Sequence, residues 1–163
     1  MEALENKIKS LYGEKLRVRV CGICIKEDRL LLVHHKGLTS SGSLWAPPGG
    51  GMEYGEDAKT ALKREFLEET GLEITIGNFL FVHEYLDKPL HGIELFFEVK
   101  NVNGTLKSGS DPEMGNNFQI ITQTSFMPLE EIKKIPEASL HYVIQNITSF
   151  ESLLKLRGYF KFH

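Results

Sequence analysis

Residues 63–71 read KREFLEETG and set Glu65, Glu68 and Glu69 directly ahead of a glycine. Asp57 to Thr70 carries a helical pattern that Gly71 ends. On that helix Glu65 and Glu69 are neighbours one turn apart, a like-charge pairing that costs roughly 0.2–0.5 kcal/mol. The acids also crowd the negative end of the helix dipole, which disfavours each by about 0.3–1 kcal/mol. At about 100° per residue, Glu68, Glu69, Ala61, Leu62 and Ala58 all fall within roughly 60° of Glu65. Lys59 and Lys63 fall on the opposite side. The acids therefore continue the apolar stripe by which the helix packs on a sheet. Three carboxylates on a semi-buried face need strong positive charge, and Arg64 alone is not enough. A hard divalent cation meets that need, magnesium in particular, held by a few carboxylates, waters and substrate phosphates. The segment predicts a metal site on the inner face of a helix.

The rest of the chain supplies the sheet. "LRVRVCGICI" and "RLLLVHH" read as two strands joined by a hairpin at "KEDR". "EITIGNFLFVHEYL", "IELFFEVK" and "FQIITQTSFMPL" are three more. Leu4, Ile8 and Leu11 mark a short helix over the first dozen residues, and a last helix is expected from about Leu140 to Leu156. The stretches "KGLTSSGS", "LWAPPGGGMEYGED" and Asn101 to Asn117 read as loops. With 163 residues and no internal repeat or linker, the chain is expected to form one mixed α/β domain. Its net charge of −3 points to no nucleic-acid or membrane partner. Neither a signal-peptide core nor a run of membrane-spanning length is present, so the reading is a cytoplasmic protein. Cys21 and Cys24 form a C-x-x-C, but positions three apart in a strand face opposite ways, so both are expected to be buried structural thiols.

"PPGGG" leads into the acidic helix, and Gly49, Gly50 and Gly51 let backbone come close to a ligand. Gly50, Glu56, Arg64, Glu65, Glu68, Glu69 and Gly71, with Phe66 and Leu72 at the bulky positions, match G-x5-E-x7-R-E-U-x-E-E-x-G-U at every fixed position. On these residues the chain resembles the Nudix hydrolases, whose signature this is. "LWAPPGG" is similar to a stretch common just upstream in that family, and "SFMPLEEI" to one further on, with Phe126 in place of a tryptophan. Only the N-terminal helix, residues 1–13, lies outside the resemblance.

The resemblance implies an α/β/α sandwich around a mixed sheet and hydrolysis of nucleoside diphosphates linked to another moiety, with magnesium or manganese. It makes Glu65, Glu68 and Glu69 metal ligands, Glu56 a supporting ligand or partner of the base, and Arg64 the residue that orients the carboxylates. The general base is either a glutamate of that signature (the box, residues 50–72) or an acid on a loop beyond the sheet, here Glu113 with Asp111 behind it. Trp45, His35 and Lys36 are candidates for contact with substrate, each set against an ordinary core or surface role. A homodimer is frequent in the family. Neither Tyr85 nor Pro89 stands in the register that marks a substrate subfamily, so the substrate stays open among nucleotide-type molecules. A ligand-sensing module without hydrolysis, and a metal-dependent isomerase of diphosphate esters, are the alternatives on the same fold.

Overall fold

The computed structural model describes residues 2–38, 41–110, 112–114 and 119–162. Helix α1 (Glu2–Tyr12) precedes β1 (Leu16–Lys26), β2 (Arg29–Lys36), β3 (Ser43–Ala46) and β4 (Gly49–Gly51). Helix α2 (Ala58–Thr70) follows, then the long strands β5 (Glu73–Asp87) and β6 (Leu90–Asn103). A short 3-10 turn (Pro112–Met114) leads to β7 (Ile121–Met127), α3 (Leu129–Ile132), α4 (Tyr142–Gln145), α5 (Phe150–Lys155) and β8 (Gly158–Phe160). No helix among the described residues is long and apolar enough to cross a membrane.

The strands run in the order β3-β2-β1-β6-β5-β8, with β4 paired to β1 and β7 to β2. The β1–β6 and β5–β8 pairs are parallel and the others antiparallel, so the sheet is mixed. Glu27 and Asp28, both at positive φ, close the β1–β2 hairpin in the handedness that matches strand twist. Strand β1 pairs with β4 at Arg19–Cys21 and with β2 only at Ile25 and Lys26, so the two halves of the sheet part between them.

Each sheet face has its own core. On one, Val20, Cys24 and Leu31 pack under Ala61, Leu62 and Phe66 of α2. On the other, Cys21, Ile23, Phe81 and Phe96 pack under Ile132, Val143, Ile144 and Leu153 of α3 to α5. This is the expected α/β/α sandwich. Cys21 and Cys24 are free thiols in opposite cores, as strand parity requires. Gly22 lets α2 sit close, because a Cβ there would lie 2.5 Å from the Phe66 ring.

Three expectations need correction. Ser43–Ala46 and Gly49–Gly51 are strands, since β2 and β1 supply hydrogen-bonding partners that outweigh the poor strand propensity of glycine and serine. The last helix is two short ones. Asn146 ends α4, and Ser149 starts α5 with a capping box to Ser152, which satisfies the backbone where a continuous helix would have run through. Gly158–Phe160 then adds a strand beside β5.

Candidate active site

Helix α2 is fixed at both ends by its own residues. The Asp57 carboxylate accepts the Lys59 and Thr60 N–H groups, and Gly71 closes the helix at φ 73°. Between these caps Glu65 and Glu69 turn inward and are 8% and 5% exposed, beside fully buried Leu62 and Phe66. Glu68 stays half-buried.

Arg64 gathers three carboxylates. It donates to Glu56 at 2.6 and 3.2 Å, to Glu65 at 3.0 Å and to Glu68 at 3.3 Å, and it also reaches the Gly51 carbonyl at 3.1 Å. Hydrogen bonding from Arg64 lowers the pKa of Glu56. Glu65 moves the other way, pushed up to about 7 by burial and then by the charge of Glu69. Glu69 accepts the Gly49 N–H at 2.9 Å, with His35 Nε2 3.4 Å away. His35 Nδ1 is buried and has no hydrogen-bond partner among the described residues.

The glycine strand β4 separates these carboxylates from two arginines. A Cβ at Gly50 would come within 2.3 Å of the Glu65 carboxyl, and one at Gly51 within 2.5 Å of Arg17 Nη2. Charges of opposite sign thus press on Gly50 and Gly51 from two sides, and side chains at either position would push them away. Arg17, Arg19, His35, Gly49–Gly51, Glu65 and Glu69 line one cavity.

Behind Arg19 lies Glu94, 4% exposed. Its Oε2 accepts from His83 Nδ1 at 2.8 Å and from His141 Nε2 at 2.9 Å, while Oε1 faces Arg19 Nε at 3.4 Å. Burial opposes its charge, but His141, His83 and Arg19 outweigh that and hold Glu94 well below the usual carboxylate range. His83, Glu94 and His141 offer ligand atoms within 4.8 Å of one another. However, His141 Nδ1 accepts the Val143 N–H, so its Nε2 carries the proton in the neutral ring and donates it to Glu94. Hydrogen bonding accounts for the cluster, and it braces Arg19.

The structure therefore brings Glu65, Glu69, His35 and Gly49–Gly51 to the cavity, with Glu56, Arg64 and Glu68 assembled beside them. It does not bring Trp45 or Lys36 there. Trp45 packs on the α3–α5 face with its ring 4.8 Å from His34, and Lys36 is exposed at the end of β2. Glu113 belongs to the 3-10 turn, but its side chain lies outside the described residues, as does Asp111. Arg17, Arg19, Glu94 and His141 are the polar groups that sequence reasoning missed. The alternation of "RVRVC" carried a signal for the first two, since period 2 puts both arginines on one face with buried Cys21.

The parted mixed sheet carries a loop–helix–loop that sets Glu65 and Glu69 into one cavity with Arg17 and Arg19. The chain belongs to the Nudix family: the model described as "NUDIX domain" matches residues 15–145. It is 34% identical over 105 residues to an ADP-ribose pyrophosphatase of Methanocaldococcus jannaschii, covering 63% of this chain and 62% of that protein. It is 32% identical over 94 residues to human diphosphoinositol polyphosphate phosphohydrolase 3-alpha, covering 56% of each. The chain thus spans about 60% of the length of these curated relatives. The structure of a MutT protein from Methanosarcina mazei Go1 superposes with a TM-score of 0.65 at 20% identity, over 86% of this chain and 94% of that one, which shows the shared fold.

Proposed function

We propose that the protein is a divalent-metal-dependent hydrolase that cleaves the pyrophosphate bond of a nucleoside diphosphate linked to another moiety. The observation that carries this reading is the bipolar cavity, with Glu65 and Glu69 on one side of the glycine strand and Arg17 and Arg19 on the other. The donor set fits a hard cation. All its atoms are carboxylate oxygens, they outnumber the one arginine among them, and Glu65 is raised to about 7 by burial first and then by the charge of Glu69.

Glu65, Glu68 and Glu69, supported by Glu56, would hold magnesium or manganese. The cation supplies charge neutralisation at the diphosphate and lowers the pKa of water. Arg17 and Arg19 bind the phosphate oxygens, and Glu94 keeps the Arg19 side chain aimed at them. Gly49–Gly51 admit the diphosphate close to the backbone. A carboxylate takes the proton from the attacking water, either a box glutamate or Glu113. The supporting relatives include enzymes named for ADP-ribose and for 8-oxo-dGTP, which frames the substrate as nucleotide-like.

The test is a turnover screen of a nucleotide panel with magnesium, reading the products. Release of a nucleoside monophosphate or phosphate supports the reading. Tight binding without release would identify a sensing module, and an isomerised ester would identify the other alternative.

A further inference from the structure

The match to the family begins at residue 15, so α1 lies before it. This helix is nonetheless locked onto the mouth of the cavity. Ile8 and Tyr12 are buried with Met114 and Ile120, and Leu4 and Leu11 pack against the same cluster with Leu38 and Leu90. A Cβ on Gly37 would lie 2.5 Å from Leu4, so α1 presses on the turn after β2. Just past the helix, the Glu14 N–H donates to the Pro89 carbonyl at 2.9 Å, tying it to the β5–β6 turn.

Leu4, Ile8 and Leu11 already give α1 an apolar stripe. Tyr12 does something further: its side chain lines the cavity, and the Arg17 guanidinium lies 4.1 Å from the centre of its ring. The cavity lining thus combines two kinds of surface. One is charged, with Arg17, Arg19, Glu65 and Glu69, and the other is the apolar group that α1 joins, with Tyr12, Leu38, Leu90 and Ile120. Phosphates require the first. A planar, weakly hydrated ring suits the second, because aromatic and aliphatic walls replace water at its faces without demanding hydrogen bonds.

We propose that Tyr12 is a substrate-binding residue, its ring forming the wall against the nucleobase while Arg17, lying across the same ring, takes the adjoining phosphate. Helix α1 is then part of the substrate site and contributes to specificity. This rests on the diphosphate reading above.

The test uses the full chain in magnesium and two uncleavable probes: α,β-methylene-ADP, and methylenediphosphonate, which carries the same bridge without a base. Tyr12→Ala is expected to weaken the first about ten- to a hundredfold, the range of one base–aromatic stack, and the second less than about twofold. Tyr12→Phe should bind both like wild type. Tyr12→Leu keeps an apolar plug under α1, so it stands in if the alanine variant fails to fold, with the same selective loss expected. Equal weakening of both probes would show that Tyr12 acts only through Arg17 or the fold, and no weakening of either would show that the base lies elsewhere. Each result overturns the proposal. If wild-type protein binds neither probe and no nucleotide is turned over, the diphosphate reading itself fails and takes this proposal with it.

Discussion

Glu65→Gln should stabilise the metal-free protein at alkaline pH and leave it unchanged in acid. The folded protein raises the Glu65 carboxyl from 4.5 to about 7. The folded state therefore binds this proton more tightly than the unfolded chain does. Its contribution is fully present below about pH 4.5 and is lost as pH rises to about 7. Two and a half pH units at 1.36 kcal/mol each set a ceiling of ~3 kcal/mol. Glutamine has the same shape and no charge, so it escapes that loss. It also turns the 3.0 Å contact from Arg64 into a hydrogen bond with a neutral acceptor, which gives back about 1 kcal/mol. The net expectation is a gain of about 2 kcal/mol at pH 8, or roughly 4–8 °C in Tm for a domain of this size. Thermal melts with a chelator at pH 5, 6, 7 and 8 read this directly, and the histidines, common to both proteins, cancel in the difference. Adding magnesium at pH 8 should restore the wild type by mass action and help the variant less. A wild-type-minus-variant difference that stays constant from pH 5 to 8, or a variant less stable than wild type at pH 8 without metal, would refute the reasoning.

Gly50→Ala places a methyl group within 2.3 Å of the Glu65 carboxyl, and a displacement of that size is expected to lower turnover about a hundredfold while circular dichroism stays native. Glu94→Gln removes the anion that His83, His141 and Arg19 share, which should cost about 1.5–3 kcal/mol in a urea melt at neutral pH. Its folded pKa lies below the unfolded value, so this difference should vanish as pH falls well below about 4. Glu113→Gln should lower kcat by about 10²–10⁴ with little change in KM if that residue is the base. A near-normal Glu113→Gln beside an inactive Glu65→Gln would instead place the base in the box.

The carboxylate half of the site was legible because its residues break a local rule. Acids at a helix C-terminus, on the stripe that should be apolar, have no local explanation, and the angle between them could be worked out from the helix repeat alone. The sheet strands were legible through Val, Ile and Phe runs. Strand β4 was not, because three glycines have no side chains to show a period, and only pairing with β1 makes them a strand. The break between α4 and α5 turns on Ser149 accepting one N–H at 3.0 Å, a choice that the apolar pattern of Val143, Ile144, Phe150 and Leu153 does not report. Glu94, His83 and His141 come from β6, β5 and the start of α4, and no spacing rule joins residues as far apart as 94 and 141. Trp45 lies two residues before Pro47 and packs half-buried against the α3–α5 core beside the His34 ring, while its β3 neighbours Leu44 and Ala46 line the cavity.

The distribution of braces explains why the two charged walls do not simply neutralise each other. Arg64 is committed to Glu56, Glu65, Glu68 and the Gly51 carbonyl, and Glu69 to the Gly49 N–H. On the far side Arg19 rests on Glu94, which is itself pinned by two imidazoles, and Arg17 lies on the Tyr12 ring. Each group thus has a partner besides its opposite across β4. If Glu65 paired with Arg17 or Arg19, the cavity would be closed by its own salt bridge, and a ligand would have to break it before binding. On the α2 side of the glycine strand stand four carboxyl groups and one arginine, which touches Glu56, Glu65 and Glu68, and on the other side stand two arginines and Glu94. The first wall is complementary to a cation and the second to an anion. On the proposed reading, a diphosphate bound together with its cation would satisfy both walls at once, whereas either alone would leave one wall unbalanced. Gly50 and Gly51 maintain that separation by leaving room for a charged side chain on each side of a single backbone.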